Sequence, residues 1–198
     1  MIIDLFPSTL YLIKTKNHDT IKKACLDYIV PEYEKNPSTF VEAWDADVWT
    51  TYNQENNFPW KEIVPLYLEE LRSFSMDLGI VGNPMVREAW LNAYKENQHQ
   101  EIHEHLPGQF SCIHYVAYNS DDHLPTIFMN PYRQVALSNS PNFFGGPDGI
   151  PGTWTGQSYI KVEEGDLLIF PSFLEHKVPK QKSDNLRVTL SFNLNFVN

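Results

Sequence analysis

Two patterns of apolar and polar positions divide the chain. In the first half apolar residues recur at helical spacing. In "NHDTIKKACLDYIV", Ile21, Ala24, Cys25 and Tyr28 fall at i, i+3, i+4 and i+7, one face of a helix. Asn17 or Asp19 is its natural cap and Pro31 its expected stop. A second stripe, Tyr67, Leu68, Leu71, Phe74 and Leu78, runs through "PWKEIVPLYLEELRSFSMDLGI". Gly79 suits the left-handed residue after that helix, and Pro65 places the start of its regular part near the first turn. Ahead of both, "MIIDLFPSTLYLIK" reads as an opening strand.

After about residue 83 the period changes to two. "REAWLNAY", "QEIHEH", "FSCIHYVAY", "TIFMN", "SYIKVEE", "DLLIF" and "LRVTLSFNLNF" are short alternating runs separated by Gly, Pro, Asn and Asp, the pattern of strands in a sandwich or barrel. The last run is the most informative. Val188, Leu190, Phe192, Leu194 and Phe196 share one face, and Arg187, Thr189, Ser191, Asn193 and Asn195 share the other. The apolar face can pack on the helices, which leaves the polar face to line a pocket. "LSNSPNFFGGPDGIPGTWTGQ", residues 137–157, is a long Gly/Pro/Asn-rich loop of the kind that forms lids, in which Phe143 and Phe144 either cover a substrate or anchor the loop. The whole is read as one domain over 1–198, with 1–82 mostly helical support and 83–198 the β core.

Composition narrows the function classes. The 198 residues include five Trp, ten Tyr and twelve Phe, enough for a globular core without staples. The net charge of −10 argues against nucleic acid, whose binding needs a basic surface; "KQK" at Lys180 reads as a solvated turn. No apolar run is long enough for a membrane span, and the N-terminus lacks the basic region and cleavage site of a signal peptide. Cys25 and Cys112 make no disulfide framework and fit a reducing, cytoplasmic setting.

The candidate chemistry lies in histidines. On a strand, residues i and i+2 share a face, so His103 and His105 project together while Glu104 points away. A third histidine, His176, follows in "FPSFLEHKVP". Three imidazoles brought to one face suit a metal that keeps open positions for substrates or water. A lone His-x-His pair is equally a pair of surface or hydrogen-bonded histidines, so the downstream element matters. Glu101 and Glu104 are the nearby carboxylates, and both rank below His105 as ligands.

That downstream element, "EEGDLLIFPSFLEHKVPKQKSDNLRVTLSFN", together with "QEIHEH" and "CIHYVAY", resembles the 2-oxoglutarate- and Fe(II)-dependent oxygenases, in particular the small prolyl-hydroxylase-like branch of bacteria and their phages. "LFPSTLYLI" and "WLNAY" extend the likeness over nearly the whole chain. The resemblance implies a mainly β (α+β) fold: a double-stranded β-helix, or jelly roll, cupin-like, with the N-terminal helices buttressing one sheet. It implies Fe(II) held by His103 and His176, with His105 standing where most members carry Asp or Glu. It implies 2-oxoglutarate as co-substrate, its far carboxylate paired with Arg187, with Thr189 and Tyr115 beside it. The implied activity is a dioxygenase, a hydroxylase that couples decarboxylation of 2-oxoglutarate to oxidation of a C–H bond in a small-molecule or peptide substrate.

Other readings stay open at this point: a three-histidine cupin-type dioxygenase that does not use 2-oxoglutarate, a non-catalytic metal-binding structural module, and zinc hydrolysis, for which no general base is evident. Arg187 with Thr189 weighs against the first, and the polar face of the last strand against the second. Among the remaining residues, His114 reads as a core histidine or a support for the site. His18, His99 and His123 read as surface, and Arg133 as a surface ion pair. Trp90 reads as core and Asn92 as pocket wall.

Overall fold

The computed structural model describes residues 8–39, 45–131 and 156–197. Along the chain these form β1 (Tyr11–Lys14), α1 (His18–Lys35), β2 (Trp49–Thr50), α2 (Trp60–Ile63), a 3-10 turn (Val64–Tyr67), α3 (Leu68–Asp77), β3 (Asn83–Tyr94), β4 (Gln100–His103), β5 (Phe110–Ala117), β6 (Ile127–Met129), β7 (Gln157–Tyr159), β8 (Asp166–Pro171), β9 (His176–Val178) and β10 (Arg187–Val197). They build two antiparallel sheets, one of six strands in the order β1-β8-β5-β10-β3-β2 and one of four in the order β4-β9-β6-β7.

Alternation along the central strands sorts side chains into two cores. On β10, Val188, Leu190, Phe192 and Leu194 face the helices, joining Cys112 and Val116 of β5 and Leu167 and Ile169 of β8. Against them pack Ile21, Cys25 and Ile29 of α1 and Tyr67, Leu71 and Phe74. The opposite face of the same strands, with Ile113, Tyr115, Leu168 and Phe170, meets Phe128 of the smaller sheet. Burying one such side chain stabilises by about 1.5–3 kcal/mol. The larger sheet is therefore apolar toward the helices and mixed toward its partner, and the site lies on that mixed side.

The helices differ from the spacing argument in instructive ways. Pro31 does not stop α1, which continues to Lys35. Ile29 and Tyr33 are both buried, while Pro31 and Asp27, whose carbonyl loses its helical partner to the proline, are exposed. Burial on either side thus outweighs one lost bond that water can replace. Asn17 does not cap with its side chain but donates to the Leu66 carbonyl at 2.9 Å, tying α1 to the 3-10 turn. Pro65 sits in that turn, ahead of α3. Of the second stripe, Tyr67, Leu71 and Phe74 are buried, but Leu68 and Leu78 are each 40% exposed. Gly79 closes α3 as expected: its φ is +64°, and Gly79 N–H and Ile80 N–H reach the carbonyls of Met76 and Ser75, a Schellman close that needs a left-handed residue. The loop expected over 137–157 falls almost wholly outside the described residues, as do Arg133, Phe143 and Phe144.

Candidate metal and co-substrate site

β4 and β9 are neighbours in the smaller sheet, and His103 is the direct register partner of His176. β4 ends at His103 instead of running through His105. The His105 N–H leaves the ladder and donates to the Ser172 carbonyl at 2.9 Å, after β8. His105 is still delivered to the same point. The ring centroids of His103, His105 and His176 lie 4.3–5.2 Å apart, and one nitrogen from each falls within 4.8 Å of the others.

Backbone carbonyls orient two of the rings. His103 Nδ1 donates to the Glu101 carbonyl at 2.8 Å, and His176 Nδ1 to that of Leu174 at 3.0 Å. With the proton on Nδ1, Nε2 keeps its lone pair, the arrangement of a ligating histidine. The His105 ring leans on Trp90, centroids 5.2 Å apart. Burial lowers the pKa of His103, pushes His105 down to about 4, and holds His176 well below the usual histidine range. Charge on the neighbouring imidazoles adds to the depression of His105 and His176. All three are neutral near pH 7, as metal ligands must be.

The triad opens into a narrow cavity between the sheets whose wall includes Asn92, Tyr94, Thr126, Arg187, Thr189 and Ser191. β10 supplies its polar face as the alternation predicts: Arg187, Thr189 and Ser191 pair across the ladder with Tyr94, Asn92 and Trp90 of β3. Arg187 is fully buried, and its Nε and Nη1 have no hydrogen-bond partner among the described residues. Among the described residues its polar side-chain contact is Nη2 to Thr126 Oγ1 at 3.5 Å, an oxygen that also accepts from the Tyr115 hydroxyl at 3.1 Å. The guanidinium lies over the rings of Tyr94, Tyr115 and Tyr118, at 5.0, 5.5 and 6.0 Å. Aromatic faces offset part of the cost of burying that charge, not all of it. An anion seated there would supply the rest. Three neutral imidazoles and a guanidinium without a carboxylate partner among the described residues, all in one cavity, fit a divalent metal and a small carboxylate.

Thr126, Tyr94 and Gln100, which accepts from the Tyr94 hydroxyl at 3.0 Å, join this wall without having been singled out by the sequence. Tyr94 shares parity with Trp90 and Asn92, so the alternation of β3 held the signal. Thr126 precedes a short strand and has no periodic mark. Three other histidines are not surface residues. His18 Nδ1 lies 3.0 Å from His114 Nε2, and the Tyr67 hydroxyl lies 2.6 Å from His114 Nδ1. His123 is buried, accepting from the Asn119 N–H and meeting the Asn185 carbonyl. His99 is partly buried where its backbone pairs with Asp47. "KQK" is not a simple solvated turn, because Gln181 is 2% exposed and bonds to Gln98, Asn97 and Leu124.

The model of the family described as "Putative 2OG-Fe(II) oxygenase" matches residues 88–193. That span contains every residue of the cavity named above. Among solved structures the chain is similar to a prolyl-4-hydroxylase of Pseudomonas putida, at 12% identity over 96% of this chain and 94% of that one, TM-score 0.55. It is similar to a prolyl hydroxylase of Trichoplax adhaerens in complex with a hypoxia inducible factor peptide, at 13% identity over 93% and 82%, TM-score 0.56. It also resembles an oxidoreductase of the 2OG-Fe(II) oxygenase family from Burkholderia pseudomallei, at 16% identity over 73% of this chain, and spans 60% of that protein's length, TM-score 0.50. None of the curated proteins matches the chain in sequence. These likenesses share the double-stranded β-helix. By the family match and this fold, the chain belongs to the 2-oxoglutarate- and Fe(II)-dependent oxygenases.

Proposed function

We propose that His103, His105 and His176 hold the Fe(II), that Arg187 receives the far carboxylate of 2-oxoglutarate, and that the enzyme is a hydroxylase. The observation that carries this assignment is the fully buried Arg187, with Nε and Nη1 unpartnered among the described residues, in the cavity that the three histidines enter. Thr126 and Tyr115 support the same carboxylate from beside Arg187, and Thr189 lines the wall between Arg187 and the triad. A guanidinium offers several fixed donors to a carboxylate. With 2-oxoglutarate and dioxygen, bound iron would supply oxidation of a substrate C–H bond coupled to release of succinate and carbon dioxide, one oxygen atom going to each of substrate and succinate. The chain's own part is positional. β10 and β3 hold the carboxylate end, Glu101 and Leu174 carbonyls fix two ligand rings, and packing between the sheets limits water.

A three-histidine dioxygenase independent of 2-oxoglutarate is the competing reading, since His105 replaces the usual carboxylate. Such an enzyme has no use for a buried guanidinium opposite its metal. Calorimetric titration of 2-oxoglutarate into the Fe(II)-loaded protein without oxygen, followed by a succinate assay in air, tests the assignment. Saturable binding and metal-dependent succinate support it. No binding to protein that holds iron would transfer the case to the competing reading.

A further inference from the structure

A second cavity, of about 230 Å³, adjoins the first and ends on His103 and His105. Its wall includes Tyr52, Trp90, Asn92, Gln100, Glu101 and Glu104. Two carboxylates line it, and among the described residues no Lys or Arg does. Glu104 is exposed, whereas Glu101 is half-buried and its Oε2 is shielded from solvent with no hydrogen-bond partner among the described residues. Glu101 is not part of the cluster of ligating nitrogens. Tyr52 and Trp90 meet edge to face at 5.1 Å in the same wall. A shielded carboxylate oxygen without a donor is costly, and aromatic faces attract cations.

We propose that this outer cavity is the substrate site and selects a positively charged group, an ammonium or guanidinium. Glu101 pairs with the charge inside, Tyr52 and Trp90 flank it, and Glu104 draws it in at the mouth. The inference rests on the oxygenase reading, because the cavity matters as a substrate site only if the histidines hold the metal. It adds to that reading a charge class that neither the metal site nor the family match contains. The basic group comes either from a residue within a peptide or from a free amino acid or amine, and the two are separable by experiment.

The test is calorimetry on full-length protein loaded with Fe(II) and 2-oxoglutarate, without oxygen. The probes are N-acetyl-L-arginine amide, N-acetyl-L-lysine amide and free L-arginine, with N-acetyl-L-leucine amide and N-acetyl-L-glutamate amide as controls. A cationic probe should bind at least tenfold more tightly than either control, and the preference should shrink as salt is raised. Glu101→Gln, which keeps shape and removes charge, should abolish most of the preference; Glu104→Gln should reduce it less. Tighter binding of the capped amides than of free arginine assigns a residue in a chain, and the reverse order a free amino acid. Equal binding of all probes, binding of none, or a full preference retained in Glu101→Gln overturns the proposal. The preceding 2-oxoglutarate titration keeps the two readings apart, since its failure sinks the oxygenase assignment and its success leaves the substrate inference to stand or fall alone.

Discussion

Arg187→Met separates a co-substrate anchor from a structural arginine, because loss of an anchor costs ligand affinity while loss of a structural arginine costs ligand-free stability. In wild type the guanidinium is fully buried, and among the described residues it meets Thr126 through one long contact and the rings of Tyr94, Tyr115 and Tyr118. Replacing a buried charge by an apolar side chain of similar length stabilises by roughly 1–4 kcal/mol when no partner is lost. Three ring contacts offset about 2 kcal/mol of that. The net lies between about −1 and +2 kcal/mol, so the ligand-free variant should melt within a few degrees of wild type. With 2-oxoglutarate the loss is large and one-sided. Loss of one partner of a buried ion pair costs about 3–5 kcal/mol, or on the order of a hundredfold to a few thousandfold in affinity. Metal content should stay stoichiometric, because Arg187 is not a ligand. Thermal melts and 2-oxoglutarate titration of the metal-loaded variant read both effects. A variant that melts several degrees lower yet binds 2-oxoglutarate as wild type does would refute the reasoning.

Three further outcomes are expected. His103→Ala, His105→Ala and His176→Ala should each purify without stoichiometric iron by elemental analysis; full occupancy in His105→Ala would remove that residue from the ligand set. Gly108→Ala should disturb the same site, because a Cβ there would stand 2.9 Å from both the His105 carbonyl and Ser172 Oγ; overpacking of this kind costs about 1–3 kcal/mol, read by urea melts, and should also lower metal affinity by displacing His105. Stability should fall on acidification. His114, fully buried, has its pKa pushed down to about 3 by burial and by His18 and Lys14. Above the unfolded value near 6.5 both states are neutral. Between there and about 3 only the unfolded chain takes up the proton, so stability is present at neutral pH and declines as pH drops, by up to a few kcal/mol from this residue. Urea midpoints from pH 7.5 to 4.5 should show a shallower decline in His114→Gln than in wild type; parallel curves would refute the assignment.

Much of this site could be read from strand parity because a strand commits every second residue to one face. Arg187, Thr189 and Ser191 reached the cavity for that reason, and Val188, Leu190 and Phe192 reached the helices for the same one. His103 with His176 was legible as a pair only through the family resemblance, since nothing local says that β4 and β9 are neighbours. Local rules failed where tertiary contacts intervened. Pro31 was overruled by burial of Ile29 and Tyr33. His18 and His123 sit in polar sequence yet are bonded inside the fold, because their partners, His114 and Asn185, come from distant segments. Thr126 had no periodicity to announce it. The outer carboxylate Glu101 was visible as a nearby acid, but its shielded oxygen and the cavity beside it emerge only once β2, β3 and β4 are brought together.

His103 and His176 face each other across one rung of the smaller sheet, with β5, β6, β7 and β8 all lying in the chain between them. An ion shared by this pair would act as a staple on that entire stretch. In the loop-closure model, a cross-link over such a length removes on the order of 4 kcal/mol of unfolded-chain entropy. The four strands of this sheet are only three or four residues long, so it depends more on such a tether than the broad one behind it. Iron starvation would then cost the protein integrity along with turnover. Molecules made without metal would be the first to open to cellular proteases, which would couple the abundance of this enzyme to the supply of the ion it needs.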